Sequence, residues 1–204
     1  MNLFQEISKE FGKSYVSSFI PWDQTADGLI GVTPKTRAGA CAGYCLYWLK
    51  SLNQGKTTFP PTFKDKLAAI NAQNAFYETG WKEVFAQKGV GIASQKVNWL
   101  KTTALKFETK NTSKAVSDAI GSINTSLALH LVLSNGSSHL VALVASDKNV
   151  SMFDPNYGQI VFNRSFTNQF MENYLTGFHH EFNNGLSKVE TFQTSGDFNL
   201  APIF

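Results

Sequence analysis

The sequence predicts an α+β fold in which a helical half is followed by an antiparallel β-sheet of about four to five strands. Two patterns carry this prediction. Apolar residues recur at spacings of three and four as far as Ile123, and from Leu127 onward short apolar runs alternate with turn residues. A third observation sets the scale: 204 residues, 43% hydrophobic and with 17 Phe, fill one core, so residues 1–204 are expected to form a single domain.

Leu3, Phe4, Ile7, Phe11, Tyr15 and Phe19 follow a helical spacing, which predicts an amphipathic docking helix ending before Pro21. Ile20 to Ala38, with Pro21, Gly28, Gly31 and Pro34, has turn chemistry and reads as a loop. Residues 1–38 are thus a docking helix and loop, and 39–204 the functional core. A helix over Ala40 to Leu52 places Cys41, Tyr44, Cys45, Trp48 and Leu52 on one face and stops before Gly55. Phe63 to Lys88 continues helical, divided near Gly80, and Asn111 or Thr112 caps a helix over Ser113 to Ile123. Leu127–Leu133 and His139–Val144, joined by Ser134-Asn135-Gly136-Ser137-Ser138, form a hairpin. Asn149–Phe153 and Gln159–Phe162 extend the meander, Arg164–Leu175 is helical, and Lys188–Gln193 is a last strand.

Charge and cysteine content narrow the function. A net charge of +3, with no run of five or six basic residues, leaves no stripe for nucleic acid and no polybasic membrane anchor. The two cysteines lie four residues apart on one helix, a poor geometry for a disulfide, so a reducing compartment is expected. Glu6, Lys9, Glu10 and Lys13 interrupt the N-terminal apolar residues, so a cleavable signal peptide is not expected there, and no apolar run is long enough to span a bilayer. No metal or cofactor motif is found.

Cys41 falls in the first turn of its helix, where unpaired N–H groups and the positive dipole end favour a thiolate. Its neighbours Gly39, Ala40, Ala42 and Gly43 leave room for a substrate backbone, whereas Cys45 lies one turn deeper among Tyr44, Leu46 and Trp48 as a core residue. A lone thiol is more often structural, so the partners matter. His139 opens a strand after a polar turn and suits a base that must reach both sulfur and substrate. His130 lies inside an apolar strand, and His179-His180 follow a helix. Asp154 ends a strand before Pro155, where antiparallel pairing brings it to the imidazole; an ordinary Asp-Pro turn is the bland alternative, and Asn156 is a second candidate for the orienting role. Together the three form a nucleophile, a base and an orienting acid for acyl transfer through a thioester.

Gly39-Ala40-Cys41-Ala42-Gly43-Tyr44-Cys45-Leu46-Tyr47-Trp48, a His followed by apolar strand residues, and Phe153-Asp154-Pro155-Asn156-Tyr157-Gly158 resemble the three motif blocks of the YopT-like cysteine protease effectors of bacteria. The resemblance implies a papain-like fold, with Cys41 as nucleophile, His139 as base and Asp154 as orienting acid. Lys35, Thr36 and Arg37 stand where a papain-like site usually carries an oxyanion-binding Asn or Gln. Gln24, reaching in through the loop, and the Cys41 backbone N–H are the candidate oxyanion donors. The same resemblance implies an endopeptidase that serves as a virulence effector; a monomer without a cofactor, secreted without a cleavable signal peptide, is expected. It would act in the host cytosol on a host protein such as a small GTPase or a kinase. A triad of this type also serves deamidases and acyltransferases, and a papain-like domain without activity serves as a binding module; both alternatives stay open at the level of sequence.

Overall fold

The computed structural model describes residues 2–27, 30, 39–53, 66–71, 73–74, 98–121, 126–182 and 185–195. Helix α1 runs from Leu3 to Phe11, capped by the Asn2 side chain, which accepts from the Gln5 N–H. It stops well short of Phe19 because Gly12 takes φ 66° and turns the chain, returning its N–H to the Ser8 carbonyl. Phe19 then belongs to a different element, strand β1 (Val16–Pro21), and Tyr15 to the turn that precedes it. Phe11, Tyr15 and Phe19 keep a helical spacing of four across this break, which hid it.

Helix α2 covers Cys41–Asn53. Of the expected helix over 63–88, residues 66–71 and 73–74 are helical and the remainder lies outside the described residues. Strand β2 (Asn98–Lys106), which the sequence reading left unassigned, precedes α3 (Thr109–Ala119). The four strands β3 (Ser126–Leu133), β4 (Ser138–Ala145), β5 (Asn149–Asp154) and β6 (Gly158–Asn163) form the expected meander. Helix α4 (Thr167–Glu181) continues past Leu175 to carry His179 and His180 in its last turn, and β7 spans Leu186–Ser195.

The seven described strands join one antiparallel sheet in the order β1-β6-β5-β4-β3-β7-β2. The α+β class holds, and the sheet is larger than expected because β1 and β2 complete its two edges. A register shift between Lys101 and Thr103 breaks the alternation in β2, which hid it from a period-2 reading.

Alternating strand residues divide into two cores. Leu129, Leu131, Val141, Leu143 and Met152 pack with Phe4, Val116, Phe170 and Tyr174 of α1, α3 and α4. Ala128, Leu140, Ala142 and Phe153 point to the other face and pack with Tyr44, Cys45, Leu46 and Leu49 of α2. A sheet buried on both faces is read as nearly continuous apolar runs, which is how β3 and β4 appear in the sequence. The arrangement places the start of α2 beside the start of β4 and the end of β5.

Candidate active site

The local sequence around Cys41 is shaped by close packing. Gly39 adopts φ 118°, a conformation that favours glycine, and directs the chain into α2. A Cβ on Gly43 would lie 2.0 Å from the Ala69 carbonyl oxygen, so the helical segment 66–71 rests directly on this residue. Gly43 therefore serves helix contact, where the sequence reading had given it to substrate access. Gln73, buried just beyond that segment, accepts the Gly43 N–H at 2.8 Å and satisfies one of the free donors at the α2 N-terminus. Cys41, the first residue of α2, stays partly exposed at the edge of this contact.

His139 and Asp154 come from adjacent antiparallel strands. The pairing of Ala142 with Phe153 sets β5 against β4 so that Asp154 and His139 share the sheet face that carries α4. His139 Nε2 lies 2.8 Å from Asp154 Oδ1. The other ring nitrogen, Nδ1, is thereby left clear of Asp154, and Cys41 lies near enough to the ring for each to shift the other's ionisation. Phe178 of α4 stacks on the imidazole, with centroids 5.5 Å apart and planes at 20°.

Asp154 is wholly buried and each oxygen has a donor. Oδ1 also accepts the Asn156 backbone N–H at 2.8 Å, and Oδ2 accepts the Tyr174 hydroxyl at 2.6 Å. Burial opposes an imidazolium at His139, yet the charge and hydrogen bond of Asp154, with those of Cys41, outweigh it and raise its pKa to about 10. Burial likewise opposes a thiolate at Cys41, but the hydrogen bond and charge of His139, followed by backbone hydrogen bonds at Leu140 and Ala42, bring its pKa below the usual thiol value. The favoured state is a thiolate–imidazolium pair backed by a carboxylate.

Gln24 stands at the same place. Its N–H donates to the Pro155 carbonyl at 2.8 Å, and its side chain is buried against Gly39. Oε1 accepts the Ala40 N–H at 2.8 Å, which fixes the orientation of the amide, because only the oxygen can accept. Nε2 donates to Asn156 Oδ1 at 2.7 Å, leaving its second hydrogen for another acceptor. A cleft of about 590 Å³ opens over these groups, lined by Gln24, Gly39, Cys41, Gln73, His139 and Asn156, with Leu133 and Phe182 at an apolar end. Among the described residues no cluster of His, Cys, Asp and Glu is arranged to hold a metal ion.

The remaining candidates fall elsewhere. Cys45 is fully buried with its thiol on the Leu140 carbonyl, and burial pushes its pKa well up, as befits a core thiol. His130 Nδ1 pairs with Glu190 at 2.9 Å. His179 accepts the Leu186 N–H at 2.8 Å and stacks on Phe107, holding the turn into β7. Asn156, the second orienting candidate, directs its side chain to Gln24 and only its backbone to Asp154. The sequence reading missed two members of the arrangement. Tyr174 was legible only as a core aromatic in register with Phe166 and Phe170, although a buried phenol needs a partner. Gln73 left no signal, since its role depends on a tertiary contact.

The Peptidase_C58 family model, described as Yersinia/Haemophilus virulence surface antigen, matches residues 6–194. Among solved structures the chain is similar to the Pseudomonas avirulence protein AvrPphB, with a TM-score of 0.59 and 14% identity over 80% of this chain and 95% of that one. It also matches PatoxP, a cysteine protease-like domain of the Photorhabdus asymbiotica toxin PaTox, with a TM-score of 0.48 and 12% identity over 98% of this chain and 64% of that one. No curated protein matches it in sequence.

Proposed function

We propose a catalytic assignment on the premise that the chain belongs to the Peptidase_C58 family of YopT-like, papain-like cysteine proteases. Cys41 is the nucleophile, His139 the acid and base, and Asp154 the orienting carboxylate of an endopeptidase. The observation that carries this reading is the polarity of the imidazole: Nε2 is committed to a buried carboxylate 2.8 Å away, which leaves Nδ1 as the nitrogen able to serve the nearby thiol at the start of α2.

The reaction follows from those groups. Cys41 thiolate attacks the scissile carbonyl carbon, and the Cys41 backbone N–H with the remaining Gln24 Nε2 hydrogen stabilises the oxyanion. The His139 Nδ1 proton passes to the leaving amide nitrogen as the C–N bond breaks, giving a thioester on Cys41 and a free amine. Water then loses a proton to Nδ1 and attacks the thioester. The tetrahedral intermediate expels the thiolate, releases the acid product and restores the ion pair. Asp154 keeps the ring oriented and the imidazolium stabilised throughout. Gln24 beside Cys41 supports catalysis over a binding-only role.

The substrate is a host protein, and the enzyme acts as a monomer in the host cytosol. Residues 1–204 act as one catalytic domain. The described residues lining the cleft include no acidic side chain, which favours a segment without a basic run over a polybasic GTPase tail. No described helix is long and apolar enough to cross a membrane. The test is incubation of candidate host proteins with parent and Cys41→Ala, followed by mass analysis of the products. New peptide termini made only by the parent are expected. A mass gain of about one dalton without chain cleavage identifies a deamidase instead.

A further inference from the structure

We propose that Tyr174 is a positioning residue of the active site: its hydroxyl, given to Asp154 Oδ2, holds the carboxylate with Oδ1 towards His139. The inference rests on the reading of Cys41, His139 and Asp154 as the catalytic groups and adds a fourth residue, from α4, to them.

Four observations carry it. Tyr174 is wholly buried, and its hydroxyl meets Asp154 at 2.6 Å. Asp154 is itself inaccessible, so no solvent replaces a lost donor. Its two oxygens are unequally served: Oδ1 receives the His139 ring and the Asn156 N–H, whereas among the described residues Tyr174 is the one donor to Oδ2. The ring that presents the hydroxyl is fixed on several sides, against Phe4 at 5.8 Å, Phe170 at 6.5 Å and Phe178 at 6.0 Å. One turn along α4, Phe178 covers the imidazole, so residues i and i+4 of one helix face hold the acid and the base together. Burial foremost, with the nearby Asp154 charge, keeps the phenol protonated and therefore a donor at any working pH.

The consequence for chemistry is directional. While His139 is protonated, Asp154 has a cation beside it; once His139 loses its proton the carboxylate is a lone buried anion and depends more on Tyr174. The hydroxyl therefore makes the imidazolium a better acid, and removing it makes proton release to the leaving group harder.

Tyr174→Phe keeps the ring and removes the donor. In peptide hydrolysis we expect kcat to fall about three- to tenfold with KM unchanged, and the alkaline limb of kcat/KM to move up by about half to one pH unit in short assays. In an Asp154→Ala background the same change should cost less than about twofold, because Tyr174 acts through the carboxylate. Tyr157→Phe is the control. Its hydroxyl serves Glu181, beside the same ring, and its profile should match the parent. If Tyr174→Phe unfolds, 3-fluorotyrosine at position 174 offers a more acidic phenol of nearly the same shape and should move the limb downward. Equal losses in both backgrounds with unmoved limbs would overturn the inference and leave Tyr174 a packing residue. The triad reading fails separately, if His139→Ala hydrolyses the peptide as the parent does.

Discussion

Gln24→Ala removes the amide that lines the cleft with Cys41, and the structure allows its cost to be divided in two. The catalytic part is the loss of the second Nε2 hydrogen, proposed as an oxyanion donor; removing one such donor lowers kcat about 10²- to 10³-fold. The structural part arises because Oε1 accepts the Ala40 N–H at 2.8 Å and Nε2 serves Asn156 at 2.7 Å. Ala40 is fully buried, so its stranded N–H costs about 1–3 kcal/mol of stability. Gln24→Glu separates the two. A carboxylate oxygen still accepts from Ala40, restoring much of the stability, but it supplies no donor and places negative charge where the oxyanion forms, so kcat falls at least as far as in the alanine variant. Thermal unfolding measures one part, and steady-state hydrolysis of a peptide ester or amide the other. A folded Gln24→Ala protein with parental kcat would refute the assignment and move the oxyanion site elsewhere.

Asp154→Ala should lose more turnover than Asp154→Asn, and both less than Cys41→Ala, when kcat is compared at saturating substrate. The sign of the pH effect follows from His139, whose pKa is raised from 6.5 to about 10, with Asp154 the leading favourable cause. The alkaline limb of kcat/KM, where the pair loses its imidazolium proton, should therefore move down in Asp154→Ala; an unmoved limb would detach Asp154 from the base. Gly43→Ala sets a Cβ 2.0 Å from the Ala69 carbonyl oxygen and should lower stability by about 1–3 kcal/mol, seen as a reduced melting temperature. A Gly43→Ala protein as stable as the parent would mean that the 66–71 segment does not rest on α2.

Much of the site was legible because its residues sit at element boundaries with distinct local chemistry. Cys41 follows a small-residue approach to an apolar helical stripe, His139 follows a polar turn, and Asp154 precedes a proline; each signal is confined to a few neighbouring residues. The structure brings these three together with Gln24. What remained hidden depends on contacts distant in sequence. Tyr174 reaches Asp154 from a helix whose pattern advertises only a core face, and Gly43 is small because of Ala69, which no local pattern reveals. The edge strands were lost for a different reason. Phe11, Tyr15 and Phe19 keep a helical spacing across the turn between α1 and β1, and the register shift in β2 removes the alternation that would identify it. Gly12, the residue that ends α1, was the available cue for the first.

The central claim is that Cys41 is a thiolate at neutral pH because His139, held by Asp154, is its cation. Alkylation by iodoacetamide from pH 5 to 10, with intact-mass counting and peptide mapping, tests it directly. In the parent, Cys41 should be labelled rapidly near pH 6, while Cys45 stays unmodified in the folded protein. In His139→Ala, labelling of Cys41 should retreat to the ordinary thiol range or above it, because burial still opposes the thiolate. A parent Cys41 that titrates in that ordinary range, or labelling at pH 6 that survives loss of His139, would contradict the account.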